Sequence, residues 1–147
     1  MIGKSTDQRM GSLKAVKSAF ILEAQSLMWR GLAPFARPFY QEAAQAEIEL
    51  AELFRSQGRE LDAKTSLMSA ASCLFQAGQY QQAAPILDPL AEDFPEARRM
   101  LEESRGRADE PLVADSPELR ALIALLVRKG LFTEDEWAQA LEAATSH

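Results

Sequence analysis

Apolar residues recur along this chain at steps of three and four, and no run of alternating β-branched residues bounded by turns interrupts them. The first pattern puts apolar side chains along one face of a helix. The second is what a sheet would need, so the fold is expected to be all-α. Glycine and proline punctuate the pattern. A first helix over residues 12–30 would bury Leu13, Val16, Phe20, Ala24 and Leu27, with Gly31 just past its end. The polar residues before it, 1–11, are expected to form a flexible N-terminal segment. Pro34 and Pro38 make residues 32–37 a connector, because proline removes a helical donor and pushes its predecessor out of the helical region.

A second helix is expected over residues 39–57, burying Phe39, Ala43, Ala46, Leu50 and Leu53, with Glu42, Glu47, Glu49 and Glu52 on its wetter sides and Gly58 ending it. A third over 60–77 would turn Leu67, Ala71 and Leu74 to a neighbour and end at Gly78. A fourth over 81–94 contains Pro85 and Pro89 and is expected to be kinked or broken. Pro95 suits the first position of a short fifth helix over 96–105. Residues 106–117, with a glycine, two prolines and several charges, read as a linker. Beyond it, residues 118–147 are expected to form a helical hairpin. Ser116-Pro117-Glu118 opens its first helix, Arg128-Lys129-Gly130 closes it, and Thr133-Glu134-Asp135-Glu136 is a capping box for the second. The expected architecture is an antiparallel helical stack over residues 12–105 with a C-terminal hairpin.

Composition removes most chemistry. With 147 residues, 47% of them hydrophobic, the chain can bury a real core in one domain with a small appendage. Its net charge of −6 argues against nucleic acid as a partner, since that affinity comes from Lys and Arg on phosphates. The balance is uneven: residues 1–37 carry +4, residues 38–111 carry −7 and the rest −3. A basic first helix could lie against the acidic helices behind it or face an acidic partner. One cysteine, Cys73, allows neither an internal disulfide nor a multi-cysteine metal site, and the one histidine, His147, is the last residue. The longest apolar run, 121–127, is seven residues, far short of the roughly 20 a bilayer helix needs. Without an export signal in the sequence, a cytoplasmic location is the default expectation, with no membrane partner.

One stretch is specific. With Lys64 as the first position of a 34-residue unit, Leu67, Ala70, Ala71 and Leu74 fall at positions 4, 7, 8 and 11. Gly78 falls at 15, Tyr80 at 17, Ala83 at 20, Leu87 at 24, Leu90 at 27 and Pro95 at 32. This spacing resembles the tetratricopeptide repeat, in which small residues at positions 8 and 20 let two antiparallel helices approach closely. The match covers residues 64–97. Leu67 and Leu74 replace the Trp and Tyr common at positions 4 and 11, and Gly58 lies only twenty residues before Gly78. One consensus-like unit with irregular helices on either side is therefore expected, rather than a regular array.

The resemblance implies a right-handed superhelix of few helices and a protein-interaction module. In that family the first helix of each unit lines a groove with its positions 2, 5, 9, 12 and 13. Here those positions hold Thr65, Met68, Ser72, Phe75 and Gln76. Met68 and Phe75 would suit a peptide's apolar side chain, and Ser72 and Gln76 its backbone. The alternative is that another helix of the same chain covers them.

Catalytic constellations are weak. Cys73 lies mid-helix beside Ala70, Leu74 and Ala77, where a thiol behaves as a small hydrophobe and has no nearby base. The glutamates of the second helix lack the histidines a di-iron bundle requires, and read as a solvated acidic face. Ile2-Gly3-Lys4-Ser5 resembles the end of a phosphate-binding loop without the rest of it. Trp29, Phe35, Phe39 and Tyr40 gather about the proline connector, as core or as an apolar patch. The sequence thus reads as a non-enzymatic module with no cofactor that binds a peptide or partner protein. The alternative is a self-associating accessory subunit of a larger assembly.

Overall fold

The computed structural model describes residues 2–110 and, beyond them, 125, 128–130, 133, 135, 136, 138 and 139. The fold is all-α. Its order is α1 (Ile2–Trp29), α2 (Ala33–Ser56), α3 (Glu60–Gln76), α4 (Tyr80–Leu90) and α5 (Pro95–Ser104). The chain divides into two compact units, Met1–Leu112 and Val113–His147, and all five helices belong to the first.

Three identical turns make the stack antiparallel. At Gly31, Gly58 and Gly78 the backbone enters the left-handed region, with φ of 75°, 74° and 74°. Gly78 N–H donates to the Phe75 carbonyl at 3.0 Å, and Gln79 N–H reaches back to Leu74 at 2.8 Å. The same pair of bonds recurs at Gly31–Leu32 and Gly58–Arg59. This arrangement satisfies carbonyls that the helix end would otherwise orphan. In each case the residue after the glycine is already the N-cap of the next helix. Successive helices therefore fold back on one another with no loop to spare.

Three helix boundaries differ from expectation because of proline and packing. α2 begins at Ala33, not at 39: Pro34 sits in the first turn, where its missing N–H would have no partner anyway. Pro38 lies inside the same helix. α1 begins at Ile2, so residues 2–11 are helical and not a free segment. Met10 explains the extension: it is buried with Leu50, Ala51 and Phe54, and Arg9 reaches Glu49 at 2.6 Å. α4 keeps both its prolines within one helix and stops at Leu90. Phe94, preceding Pro95, is extended (φ −127°, ψ 110°), as steric conflict with the proline ring requires.

The core forms along seams of period three and four. On α2, Ala36, Tyr40, Ala43, Glu47, Leu50 and Phe54 are all buried. On α1 the answering positions are Met10, Leu13, Lys17, Phe20, Ala24 and Leu27. Val16, expected in the core, is half exposed, and its neighbour Lys17 takes the seam position instead. Lys17 forms an ion pair with Glu47, which is 1% exposed. Glu47 is thus not part of a solvated acidic face. α2 packs against α1 on one side and α3 on the other, so the side on which Glu47 lies is covered as well. Ala71 and Ala83 are completely buried in one cluster with Leu74, Leu87 and Leu90, as close approach of α3 and α4 across Gly78 requires.

The first five residues of the expected linker, 106–110, are tied to that turn. Glu110 N–H donates to the Gly78 carbonyl at 2.9 Å, and the Gln79 side-chain amide donates to the Glu110 carbonyl at 2.6 Å. Asp109 Oδ1 accepts from Gln81 N–H at 2.6 Å, capping α4 where Gln79 contributes no side-chain cap of its own. Glu110 also pairs with Arg37, and Arg107 lies 4.7 Å over the Tyr80 ring.

In the second unit the capping box is present. Glu136 N–H donates to Thr133 Oγ1 at 3.1 Å, and Thr133 N–H donates to Glu136 Oε1 at 3.3 Å. Gly130 has the left-handed φ of a helix stop, 74°. The remainder of the hairpin expected over 118–147, and residues 111–117 of the linker, lie outside the described residues.

Candidate groove between the first and third helices

α1 and α3 both pack on α2, and an open groove of about 340 Å³ lies between them. One wall is α1, with Ile21 and Gln25 a turn apart. The other is α3, where Ser69, Ser72, Cys73 and Gln76 recur at steps of three and four along one face. Tyr40 of α2 reaches the groove from below. None of these side chains carries a formal charge. Lys17, paired with Glu47, lies one helical turn before Ile21 on α1.

Of the five residues expected to meet a partner, the structure brings two into this groove, Ser72 and Gln76, both exposed. Thr65 is exposed farther along α3 and donates its hydroxyl to the Leu61 carbonyl at 3.0 Å. Met68 and Phe75 are half-buried against the main core. Phe75 meets Tyr80 edge-on, with ring centroids 5.1 Å apart. Neither lines the groove: the more polar stripe of α3 borders it, and Phe75 meets the start of α4 instead. Of the α3 wall, Ser72 and Gln76 were visible in the sequence as expected partner contacts. Ile21, Gln25 and Tyr40 were not, because only the packing of α1 and α2 brings them beside α3.

Protonation makes the floor a donor surface. Burial pushes the Cys73 thiol up to about 11, with the Glu47 carboxylate adding to the rise and Lys17 opposing it. Tyr40 is likewise raised above its ordinary value, first by burial and then by Cys73. Near neutral pH both groups hold their protons. A thiol so protonated is a poor nucleophile. Among the described residues no group of three or more His, Cys, Asp or Glu could hold a metal ion.

The aromatics around the proline connector divide. Tyr40 is buried, and Phe39 packs against Phe20 with ring centroids 6.2 Å apart. Trp29 is 93% exposed and shares the outer face of α1 with Leu22, 66% exposed. No helix among the described residues is long and apolar enough to cross a membrane. In comparisons with known proteins, the chain matches no family model, no curated protein and no solved structure.

Proposed function

We propose that this chain is a non-catalytic binding module that takes a peptide, or an extended segment of a partner protein, in the groove between α1 and α3. The observation that carries this reading is the groove itself. It is open, uncharged and walled by hydroxyl and amide side chains on two helices that share a third as their floor. Such side chains both donate and accept, which suits the alternating N–H and C=O groups of a main chain. The resemblance to the tetratricopeptide repeat agrees with it, since the first helices of successive units line the groove in that family. The protonated thiol and the lack of an internal histidine support a role without catalysis.

The test is selection of peptides from a random displayed library on the full chain, followed by titration of the best binders against Gln76→Trp. Gln76 is exposed, so the indole fills the groove without disturbing the core. Loss of binding with unchanged helicity is the expected result. Retention of binding by that variant places the contact elsewhere.

The alternative, self-association, has one observation in its favour: Trp29 and Leu22 stand exposed seven residues apart on one face of α1. Under this reading the mass in solution rises with concentration, and Trp29→Ser abolishes the rise.

A further inference from the structure

The side of α1 turned away from α2 lacks the charges of a water-facing helix. At steps of three and four it carries Gly11, Ala15, Ser18, Leu22, Ser26 and Trp29, all exposed except half-buried Ser26. A solvent-facing stripe is ordinarily charged and polar. At its C-terminal end, Leu22, Gln25, Ser26, Trp29 and Arg30 line an open depression of about 550 Å³, and the Trp29 side chain is almost wholly exposed. One patch thus offers both a knob and a hole, as a contact between identical surfaces requires. Glu23 and Arg30, seven residues apart, lie on the same flank of this face. Both are exposed, and neither forms an ion pair with a described residue. They stand about 10 Å apart along the helix, too far to pair with each other.

We infer that a second copy of the chain covers this face, its α1 laid antiparallel about a two-fold axis passing between Ser26 and Leu27. The inference rests on the self-association reading above and gives it a register and an orientation. In that register Trp29 of each copy enters between Leu22 and Ser26 of the other, and small Ser26 beside the axis lets the helices approach. Antiparallel helices bring the same flank of each together, so Glu23 of one copy lies level with Arg30 of the other, twice over. A parallel pairing would join opposite flanks instead and set Glu23 against Ser18 and Arg30 against Gln25, with no charge matched. The charges therefore select a copy of the same helix in one orientation. The groove between α1 and α3 shares only Gln25 with this face, so the two sites can be tested separately.

The test is sedimentation equilibrium of the full chain over a range of concentrations, for the parent, Glu23→Arg, Arg30→Glu and the double swap, with Trp29→Ser as the control. The parent should form a dimer and nothing larger. Each single substitution puts like charges opposite one another at both ends of the contact and should weaken the dimer by about tenfold. The double swap restores both pairs with their signs exchanged and should recover the parent dissociation constant to within about threefold. All four positions substituted are exposed, so helicity should not change. If Trp29→Ser abolishes the dimer but the single swaps leave it intact, or the double swap fails to rescue it, the antiparallel register is overturned while self-association stands. Growth beyond a dimer overturns the closed two-fold contact in the same way. A parent that stays monomeric at every concentration overturns both, and the face is then covered by something other than a second copy.

Discussion

The buried ion pair in the α1–α2 seam makes an asymmetric prediction. Glu47 is 1% exposed, and among the described residues neither carboxylate oxygen has a hydrogen-bond partner beyond the contact with Lys17. The Lys17 side chain is 28% exposed, so its ammonium has a route to water. Lys17→Met therefore strands a charge in the core, which costs about 3–5 kcal/mol. Glu47→Gln leaves a lysine that can hydrate and an amide short of partners, costing about 1–2 kcal/mol. Replacing both residues by methionine removes both charges from the seam and should leave stability within about 1 kcal/mol of the parent, or above it. For a domain holding about 5–15 kcal/mol, the first variant is a severe lesion and the double variant its rescue. Urea denaturation followed by far-ultraviolet circular dichroism, with a common slope for all four proteins, measures the three differences. The reasoning is refuted if Lys17→Met costs no more than Glu47→Gln, or if the double variant loses the sum of the single losses. Such a pair can set register: one charged position in an otherwise apolar seam rejects a slipped pairing of α1 on α2.

Other consequences follow from the turn at Gly78 and from the thiol. Gly78→Ala should destabilise the fold by about 1–2 kcal/mol, because the site needs a positive φ. A Cβ there would also lie 3.0 Å from that of Glu110, so hydrogen exchange at Glu110 N–H should accelerate more than at α2 amides. Ala71→Leu should cost about 1–3 kcal/mol or more by forcing α3 from its neighbours, whereas substitution at exposed Trp29 should stay within about 0.5 kcal/mol; thermal melts decide both. The raised Cys73 value means that the unfolded thiol ionises before the folded one. Stability contributed by the protonated thiol is complete below the ordinary thiol value and declines as pH rises towards about 11. Cys73→Ala should show a shallower alkaline decline, and a parent protein that is no steeper refutes the assignment.

How much of this was legible in the sequence depended on whether a residue's role was local. Gly31, Gly58 and Gly78 mark the three turns because a left-handed backbone is a local requirement, and α3 accordingly lies within one residue of its expected span. Ala71 and Ala83 were legible from their spacing about Gly78. Pro34 and Pro38 misled: Pro34 falls in the first turn of α2, where a missing N–H costs nothing, while Pro38, like Pro85 and Pro89 in α4, lies inside a helix that continues past it. Lys17 and Glu47 were illegible for a different reason. Each looks like a surface residue, and only the pairing of two seams shows that they meet. Glu110 and Asp109 looked like linker residues because their partners, Gly78, Gln79 and Gln81, lie some thirty positions earlier in the chain. The groove was half legible: Ser72 and Gln76 were expected contacts on α3, while Tyr40 comes from a helix whose two faces are both occupied.

Whether ligands enter between α1 and α3 can be read from amide chemical shifts of the labelled full chain during titration with a selected peptide. The largest changes should fall on Ile21, Gln25, Tyr40 and residues 69–76. Changes confined to Leu22, Ser26, Trp29 and Arg30 on the outer face of α1, with the groove residues unmoved, would contradict it.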